Sequence, residues 1–228
     1  MNIAGLQKTT LLDYPGKIAC TVFLPGCNLR CPFCHNASLV LPDRLQTIMT
    51  PDDLMAFLQT RIRKLEGVCI TGGEPTLHDD LPELLRRIHS LGFSVKLDTN
   101  GSRPEMLRAI LQEGLADYVA MDIKNAPEKY AETCGGIDIL PQAAESIRLL
   151  MESGVDYEFR TTVVHPFHTP KDLAAIGRWI TGAKRYFLQA FVDSGDLVGF
   201  GEAMTDAELQ ELLQAVTPFI PNTQLRGV

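Results

Sequence analysis

Positive charge is scarce in this chain. Its 228 residues carry 21 Lys and Arg against 28 Asp and Glu, a net charge of -7. That balance argues against nucleic acid or an anionic membrane surface as a partner. Long apolar runs are missing as well. No stretch approaches the roughly 20 residues a membrane-spanning helix needs. The opening "MNIAGLQKTTLLDYPGK" lacks the apolar core of a secretion signal. Six cysteines without an export signal fit a reducing cytoplasm, where clustered thiols bind metal more often than they pair. No linker or low-complexity segment interrupts the chain. With 45% hydrophobic and 21% charged residues, one sizeable α/β domain over 1–228 is the economical reading.

What is present alternates. Apolar, β-rich runs occur at 18–24 ("IACTVFL"), 67–71 ("GVCIT"), 93–98 ("FSVKLD"), 118–124 ("YVAMDIK"), 157–164 ("YEFRTTVV") and 186–191 ("YFLQAF"). Helices with readable punctuation lie between them. Thr50 with Asp53, Thr169 with Asp172 and Thr205 with Glu208 have the spacing of capping boxes, and Pro51 suits a first helical position. Gly67 and Gly92 are read as helix ends. Strand, helix, strand, repeated six times, predicts right-handed parallel crossovers. Six units are fewer than the eight of a closed barrel. We therefore expect an incomplete (β/α)6 barrel of parallel strands with helices on its outer face, a flat doubly wound sheet being the alternative. The core would span 18–191, after an N-terminal segment (1–17) and before a C-terminal helix and tail (192–228). In either architecture ligands gather at the carboxyl ends of the strands.

The loop after the first of these strands reads "PGCNLRCPFCHN", and Cys27, Cys31 and Cys34 form C-x3-C-x2-C. A structural zinc site is one reading, with His35 or a distant cysteine as fourth ligand. However, His35 directly follows Cys34, and neighbouring residues rarely chelate one tetrahedral ion. No second Cys-x2-Cys pair exists, and Cys20, Cys69 and Cys134 stand singly, as small buried or incidental residues would. Three thiolates on an iron–sulfur cube leave one iron open for a substrate or cofactor.

This loop, with Phe33 as the aromatic before Cys34, resembles the signature of radical S-adenosylmethionine (SAM) enzymes. The resemblance implies a [4Fe-4S] cluster held by Cys27, Cys31 and Cys34, with SAM bound at the unique iron. "TGGEP" (71–75) resembles that family's GGE motif, which implies that Gly72, Gly73 and Glu74 hold the methionine ammonium. Alone, it would read as a glycine turn between strand and helix.

Strand alternation puts Lys96 with Asp98, Asp122 with Lys124, and Glu158 with Arg160 on common faces, while Leu97, Ile123 and Phe159 suit the helix-covered face. Such charges belong in a barrel only if they meet each other or a charged ligand. The order "DYPG", "PGCNLRCPFCHN", "GGEP", "DTNG", "MDIK", "FRTTVV" resembles glycyl-radical-enzyme activating enzymes, most closely the longer activating proteins of anaerobic ribonucleotide reductase. "DYPG" departs from the "DGPG" usual in pyruvate formate-lyase activators, and no second cluster domain follows the loop. The resemblance implies SAM-site roles for Asp98, Asp122, Lys124 and Arg160, and a monovalent cation framed by Asp98, Thr99 and Asp122. It implies flavodoxin or ferredoxin as electron donor and a glycyl-radical enzyme as partner. No general base is required, so none is assigned. His165 and His168 read as exposed loop residues near the site, Gln189 and Phe191 as borders of the adenine, Met121 and Trp179 as packing. Two alternatives stay open: a small-molecule enzyme of the 7-carboxy-7-deazaguanine synthase type, and a zinc-binding interaction module.

Overall fold

The computed structural model describes residues 1–227. One sheet of eight strands runs through it in chain order. The strands are β1 (Gly5–Thr10), β2 (Ala19–Leu24), β3 (Gly67–Gly72), β4 (Ser94–Thr99), β5 (Tyr118–Asp122), β6 (Asp156–Val163), β7 (Tyr186–Ala190) and β8 (Thr223–Arg226). From β2 to β8 every neighbour is parallel; β1 lies antiparallel against β2. β1 and β8 do not pair with each other, so the sheet stays open.

The helices are α1 (Ala37–Val40), α2 (Pro51–Gln59), α3 (Leu81–Ser90), α4 (Pro104–Gln112), α5 (Tyr130–Thr133), α6 (Leu140–Ser153), α7 (Pro170–Trp179) and α8 (Asp206–Val216). All three expected capping boxes form, at Thr50/Asp53, Thr169/Asp172 and Thr205/Glu208. Each satisfies backbone donors that a helix start leaves open. α3 shows how sequence becomes packing: Leu81, Leu84, Leu85 and Ile88 recur at helical spacing and all are buried. Leu97, Ile123 and Phe159 are buried completely, on the strand face that excludes the charges.

Three expectations need correction. The sheet has two more strands than the six units predicted, because the N-terminal segment holds β1 and the tail holds β8. Both are edge strands, and the polar "GLQKTT" and the four-residue "TQLR" carry no apolar run. The helix read over 50–67 stops at Gln59. Gly67 instead opens β3, where the Tyr14 ring leaves no room for a side chain: an added Cβ would lie 2.8 Å from it. Gly92 does follow its helix, with φ +86°.

At the amino ends of the strands the barrel interior is closed by side chains. Tyr14, from "DYPG", is buried with its ring 6.2 Å from that of Tyr118. Glu158 is 1% exposed and accepts from Arg226 Nη1 at 2.6 Å, Arg226 Nη2 at 2.8 Å and Tyr118 Oη at 2.8 Å. This bidentate pair ties β8 to β6 across the interior. Burial pushes the Glu158 carboxyl upward, but the hydrogen bonds and charge of Arg226 overcome it and hold the group below its ordinary range.

Replacing Arg226 by alanine strands that carboxylate and is expected to destabilise the fold by about 3 kcal/mol at neutral pH, the low end for a broken buried pair because the arginine is partly exposed. A carboxyl held below its unfolded value stabilises fully above that value and loses its contribution as pH falls through the folded one. The gap between variant and wild type should therefore narrow on acidification. Urea unfolding at neutral and acidic pH measures both; equal stability at neutral pH would show that this pair does not secure β8.

Candidate functional site

A cavity of about 340 Å³ opens at the carboxyl ends of the strands. The cysteine loop, leaving β2 at Pro25, forms one wall. Its turns are closed locally: Cys34 N–H donates to the Cys31 carbonyl at 3.0 Å, and the Arg30 guanidinium donates to the carbonyls of Cys27 and Leu29, both at 2.7 Å. A second segment, 194–199, straps across it. Val198 N–H reaches the Cys34 carbonyl at 3.0 Å, Gly199 N–H the Pro32 carbonyl at 2.8 Å, and Ser194 Oγ the His35 carbonyl at 2.9 Å. Cys27, Cys31 and Cys34 all line the cavity. Among the described residues, no three His, Cys, Asp or Glu side chains converge to seat a single metal ion. Three sulfurs around one cavity without such convergence fit a multinuclear group better than a closed zinc site.

The thiols differ in acidity. Burial pushes Cys27 up to about 11 and raises Cys34 also. Cys31 goes the other way, to about 7, the Cys134 thiol and then the Lys124 ammonium lowering it against the effect of burial.

Opposite the loop, the Gly72–Gly73 turn ends β3 and carries Glu74. Glu74 is 1% exposed. Thr76 N–H and the hydroxyls of Thr76 and Thr99 donate to Oε1 at 3.0, 2.5 and 2.8 Å. Asn100 N–H donates to Oε2 at 2.6 Å, leaving that oxygen capacity for another donor. Among the described residues the carboxylate has no ion-pair partner. Burial consequently raises its pKa, although all four hydrogen bonds oppose the shift.

The expected charges do meet. Arg160 reaches Asp98 at 3.1 Å and Asp122 at 3.0 Å, and Lys124 holds Asp122 at 2.9 Å. Lys96, 2% exposed, pairs with Asp98 from beneath. Burial works against the Asp98 carboxylate, yet Arg160 and Lys96 hold it below its usual range; Lys124 and Arg160 do the same for Asp122. Lys124 is raised well above its ordinary value, since Asp122 and Cys31 outweigh its desolvation. The positions expected to frame a cation are thus engaged by protein groups: Asp98 and Asp122 by these cations, Thr99 by Glu74.

The residues singled out for the cluster and for the SAM amino-acid end line this one cavity: Cys27, Cys31, Cys34 and Phe33, then Gly72, Gly73 and Glu74, then Asp98, Asp122, Lys124 and Arg160; Phe191, expected beside the adenine, is buried and does not line it. Gln189 lines it too. Phe33 is buried with its ring 5.6 Å from Phe167. Glu158 does not join Arg160 here but sits lower, with Arg226. His168 is not an exposed loop residue: it is 2% exposed, its Nε2 2.9 Å from the Lys124 carbonyl. His165 faces Glu208 at 3.1 Å, away from the cavity. Neither histidine lines the site.

Two residues escaped the sequence reading. Asp13 of "DYPG" lines the cavity and accepts from Thr21 Oγ1 at 2.5 Å. Asn100 Nδ2 donates to Asn28 Oδ1 at 3.1 Å and approaches Cys27 Sγ at 3.8 Å, bracing the cysteine loop from the end of β4. Both belong to motifs that were legible; their roles depend on contacts that were not.

Comparison with known proteins agrees with this geometry. The model of the Radical SAM superfamily matches residues 21–180. A protein of Methanocaldococcus jannaschii, provisionally named a glycyl-radical enzyme activating enzyme, is 32% identical over 234 residues, covering 99% of this chain and 96% of that protein. A 7-carboxy-7-deazaguanine synthase of Thermococcus kodakarensis is 28% identical over 158 residues, 61% of each chain. Among solved structures, a domain of a pyruvate-formate lyase-activating enzyme from Bacteroides vulgatus matches with a TM-score of 0.59 at 18% identity, over 71% of this chain and 99% of that one, a likeness of fold alone. The chain belongs to the radical SAM superfamily and, within it, to the family of its Methanocaldococcus jannaschii relative.

Proposed function

We propose that this protein is a glycyl-radical-enzyme activating enzyme: it removes a hydrogen atom from a glycine α-carbon of a partner enzyme, anaerobic ribonucleotide reductase being the partner its motifs favour. Membership of the superfamily implies a [4Fe-4S] cluster and SAM. When bound, these supply one electron and a C–S bond whose cleavage yields methionine and a 5'-deoxyadenosyl radical.

The residues present fit that pair. Cys27, Cys31 and Cys34 would hold three irons. The observation that carries the reading is Glu74, an enclosed carboxylate on the same cavity with no cation of its own. A buried charge left without a counterion is unfavourable unless a ligand provides one, and the SAM ammonium is such a ligand. Lys124 makes one hydrogen bond, to Asp122, and keeps donors for the SAM carboxylate. Arg160, committed to Asp98 and Asp122 through three nitrogens, would orient rather than grip. The protein's part is position and exclusion of water. The unpaired edges β1 and β8 leave the sheet open, which suits a glycine carried on another protein better than a small metabolite. Flavodoxin or ferredoxin would supply the electron.

The ligand set predicts that alanine at Cys27, Cys31 or Cys34 abolishes iron binding and SAM cleavage, while alanine at Cys20 or Cys69 leaves iron content intact. A full iron complement in Cys31→Ala would remove that cysteine from the set.

Glu74→Gln gives two measurable effects. Glu74's raised pKa means that the ligand-free fold binds its proton more tightly than the unfolded chain does. Stability from this group is therefore full at low pH and lost as pH rises through the window between the two values. Glutamine removes that pH dependence but sets an amide NH2 against the Asn100 N–H or the Thr76 and Thr99 donors. The ligand-free variant should therefore be less stable than wild type at low pH, and the deficit should narrow as pH rises. SAM affinity should fall roughly tenfold to a hundredfold, the worth of a charge-assisted hydrogen bond of about 1.5–3 kcal/mol. Calorimetric SAM binding as tight as wild type would place Glu74 outside the ammonium site.

Reduced protein and SAM should cleave SAM slowly alone. With the cognate glycyl-radical enzyme, a protein-based doublet should appear in the electron paramagnetic resonance spectrum, and deuterium from that enzyme's glycine α-carbon should enter 5'-deoxyadenosine. Label arriving instead from a purine-like metabolite, with no protein radical, would replace this reading by the small-molecule one.

A further inference from the structure

Asn100 touches both walls of the cavity. Its main-chain N–H holds Glu74, while its side chain turns back to the cysteine loop. The residue follows β4, lines the cavity and is 5% exposed. The orientation of its amide is settled by its neighbours. Oδ1 accepts from Ser102 N–H at 2.9 Å, and a backbone N–H only donates, so the NH2 faces the loop. One of its hydrogens goes to Asn28 Oδ1 at 3.1 Å. The other is left for Cys27 Sγ, 3.8 Å from the nitrogen. The turn beneath has little freedom to retreat. Gly101 has φ +75°, its carbonyl accepts from Ser146 Oγ at 2.8 Å, and a Cβ there would lie 2.1 Å from the Met121 methyl.

Two of these bonds have plain structural uses. The one to Ser102 closes a turn of the kind asparagine often makes with the backbone two residues on. The one to Asn28 ties the cysteine loop to the end of β4. Neither employs the second amide hydrogen, and that hydrogen meets a sulfur. Leu29 N–H also reaches Cys27 Sγ, at 3.4 Å, but any residue at position 29 would supply it. The donor from Asn100 depends on its side chain. We propose that the Asn100 amide donates a hydrogen bond to the Cys27 sulfur and thereby raises the reduction potential of the cluster that Cys27 helps to hold. A reduced cluster carries one more negative charge than an oxidised one. A donor on a ligand sulfur therefore favours the reduced state, and such bonds are among the means by which a protein sets cluster potential. Asn100 is buried, and in a low-dielectric site the bond is stronger than in water. Asn100 is thus a positioning residue that acts through Cys27, and it makes the cluster easier for an electron donor to reduce.

This inference rests on Cys27 being a cluster ligand, and the test separates the two. The full chain is reconstituted with iron and sulfide as wild type, Asn100→Ala, Asn100→Asp, Asn28→Ala and Cys27→Ala. Iron and sulfide are counted, and the cluster is titrated spectroscopically against ambient potential. At the wild-type midpoint, the reduced-to-oxidised ratio of Asn100→Ala should fall from one to about one third, a shift of about 28 mV to lower potential for one electron. Asn28→Ala removes the brace but leaves the donor, so its midpoint should stay at the wild-type value. Asn100→Asp keeps the size of the side chain and its bond to Ser102. It should hold iron and shift at least as far as alanine, which decides the matter where the alanine variant fails to assemble a cluster. In protein carrying heavy nitrogen in its asparagine side-chain amides, one nitrogen coupling in the reduced cluster's pulsed resonance spectrum should vanish in Asn100→Ala and persist in Asn28→Ala. An unchanged midpoint in a fully loaded Asn100→Ala would overturn the proposal, as would an aspartate variant that is unshifted or lacks iron. An equal shift in Asn28→Ala would overturn it in favour of bracing alone. Retention of the cluster in Cys27→Ala would instead defeat the ligand assignment beneath it.

Discussion

Two stretches of backbone meet above β2 and β3 with no room for a side chain between them, and the site depends on that contact. A Cβ on Gly73 would lie 1.9 Å from the Gly26 carbonyl oxygen, and one on Gly72 would lie 2.2 Å from that of Leu24. In their absence, Gly73 N–H reaches the Leu24 carbonyl at 2.9 Å and Glu74 N–H the Gly26 carbonyl at 2.7 Å. These bonds carry the parallel register of β2 and β3, paired as far as Leu24 and Gly72, into the loops beyond. The separation between the first cysteine and Glu74 is therefore set by main chain and not by rotamers. Glu74 then binds Asn100 N–H, and the Asn100 side chain returns to Asn28 and Cys27. This closed circuit runs from β3 to β4 and back to the cysteine loop. Adding even a methyl group at Gly73 would force the two walls of the cavity apart, whatever chemistry it retained.

Beneath that circuit the interior is charged, which an α/β core does not need for its own sake. Arg160 links β6 to Asp98 on β4 and Asp122 on β5, so one side chain crosses three strands. Lys96 and Lys124 complete the compensation from below and from the rim. Buried ion pairs of this kind are often no more stabilising than apolar side chains of equal volume. Retaining so many points to a task beyond holding strands together. The compensation is also uneven: Asp98 and Asp122 are held in their charged forms, while Glu74 is left to hydrogen bonds alone. A ligand with an ammonium and a carboxylate would even out that distribution.

How much of this was legible depended on whether the cause was local. The six central strands were visible because strands covered on both faces are nearly continuous apolar runs. The three capping boxes were visible because a threonine and an acid three residues later settle a helix start between themselves. Alternation placed Asp98, Asp122, Lys124 and Arg160 on the inner face without any tertiary information. Edge strands gave no such signal. "TQLR" becomes β8 through Arg226 finding Glu158, 68 residues away. The strap over the cysteine loop, "SGDLVG", bonds through main chain and through Ser194 and Asp196 alike, to partners some 160 residues away, and leaves no motif behind. Cys134 gave no signal because no spacing ties it to the cysteine loop; its carbonyl accepts from Arg30 N–H at 3.2 Å only once α5 is folded against that loop.

The two sides of the cavity impose opposite demands. On the cysteine side, backbone contacts, the strap and the turn of α5 hold the loop from three directions, and a redox group gains from such rigidity because its surroundings need not reorganise. On the other side the sheet simply ends. An unpaired edge invites unwanted strand pairing, and here the risk is limited by the exposed Gln7, Lys8 and Thr9 on β1 and by the four-residue length of β8. Closing the barrel would have removed the risk altogether. Leaving it open makes sense if the reacting partner must enter from the side with its own scaffold attached, so that the rigid wall positions the reagent and the partner positions the hydrogen to be removed.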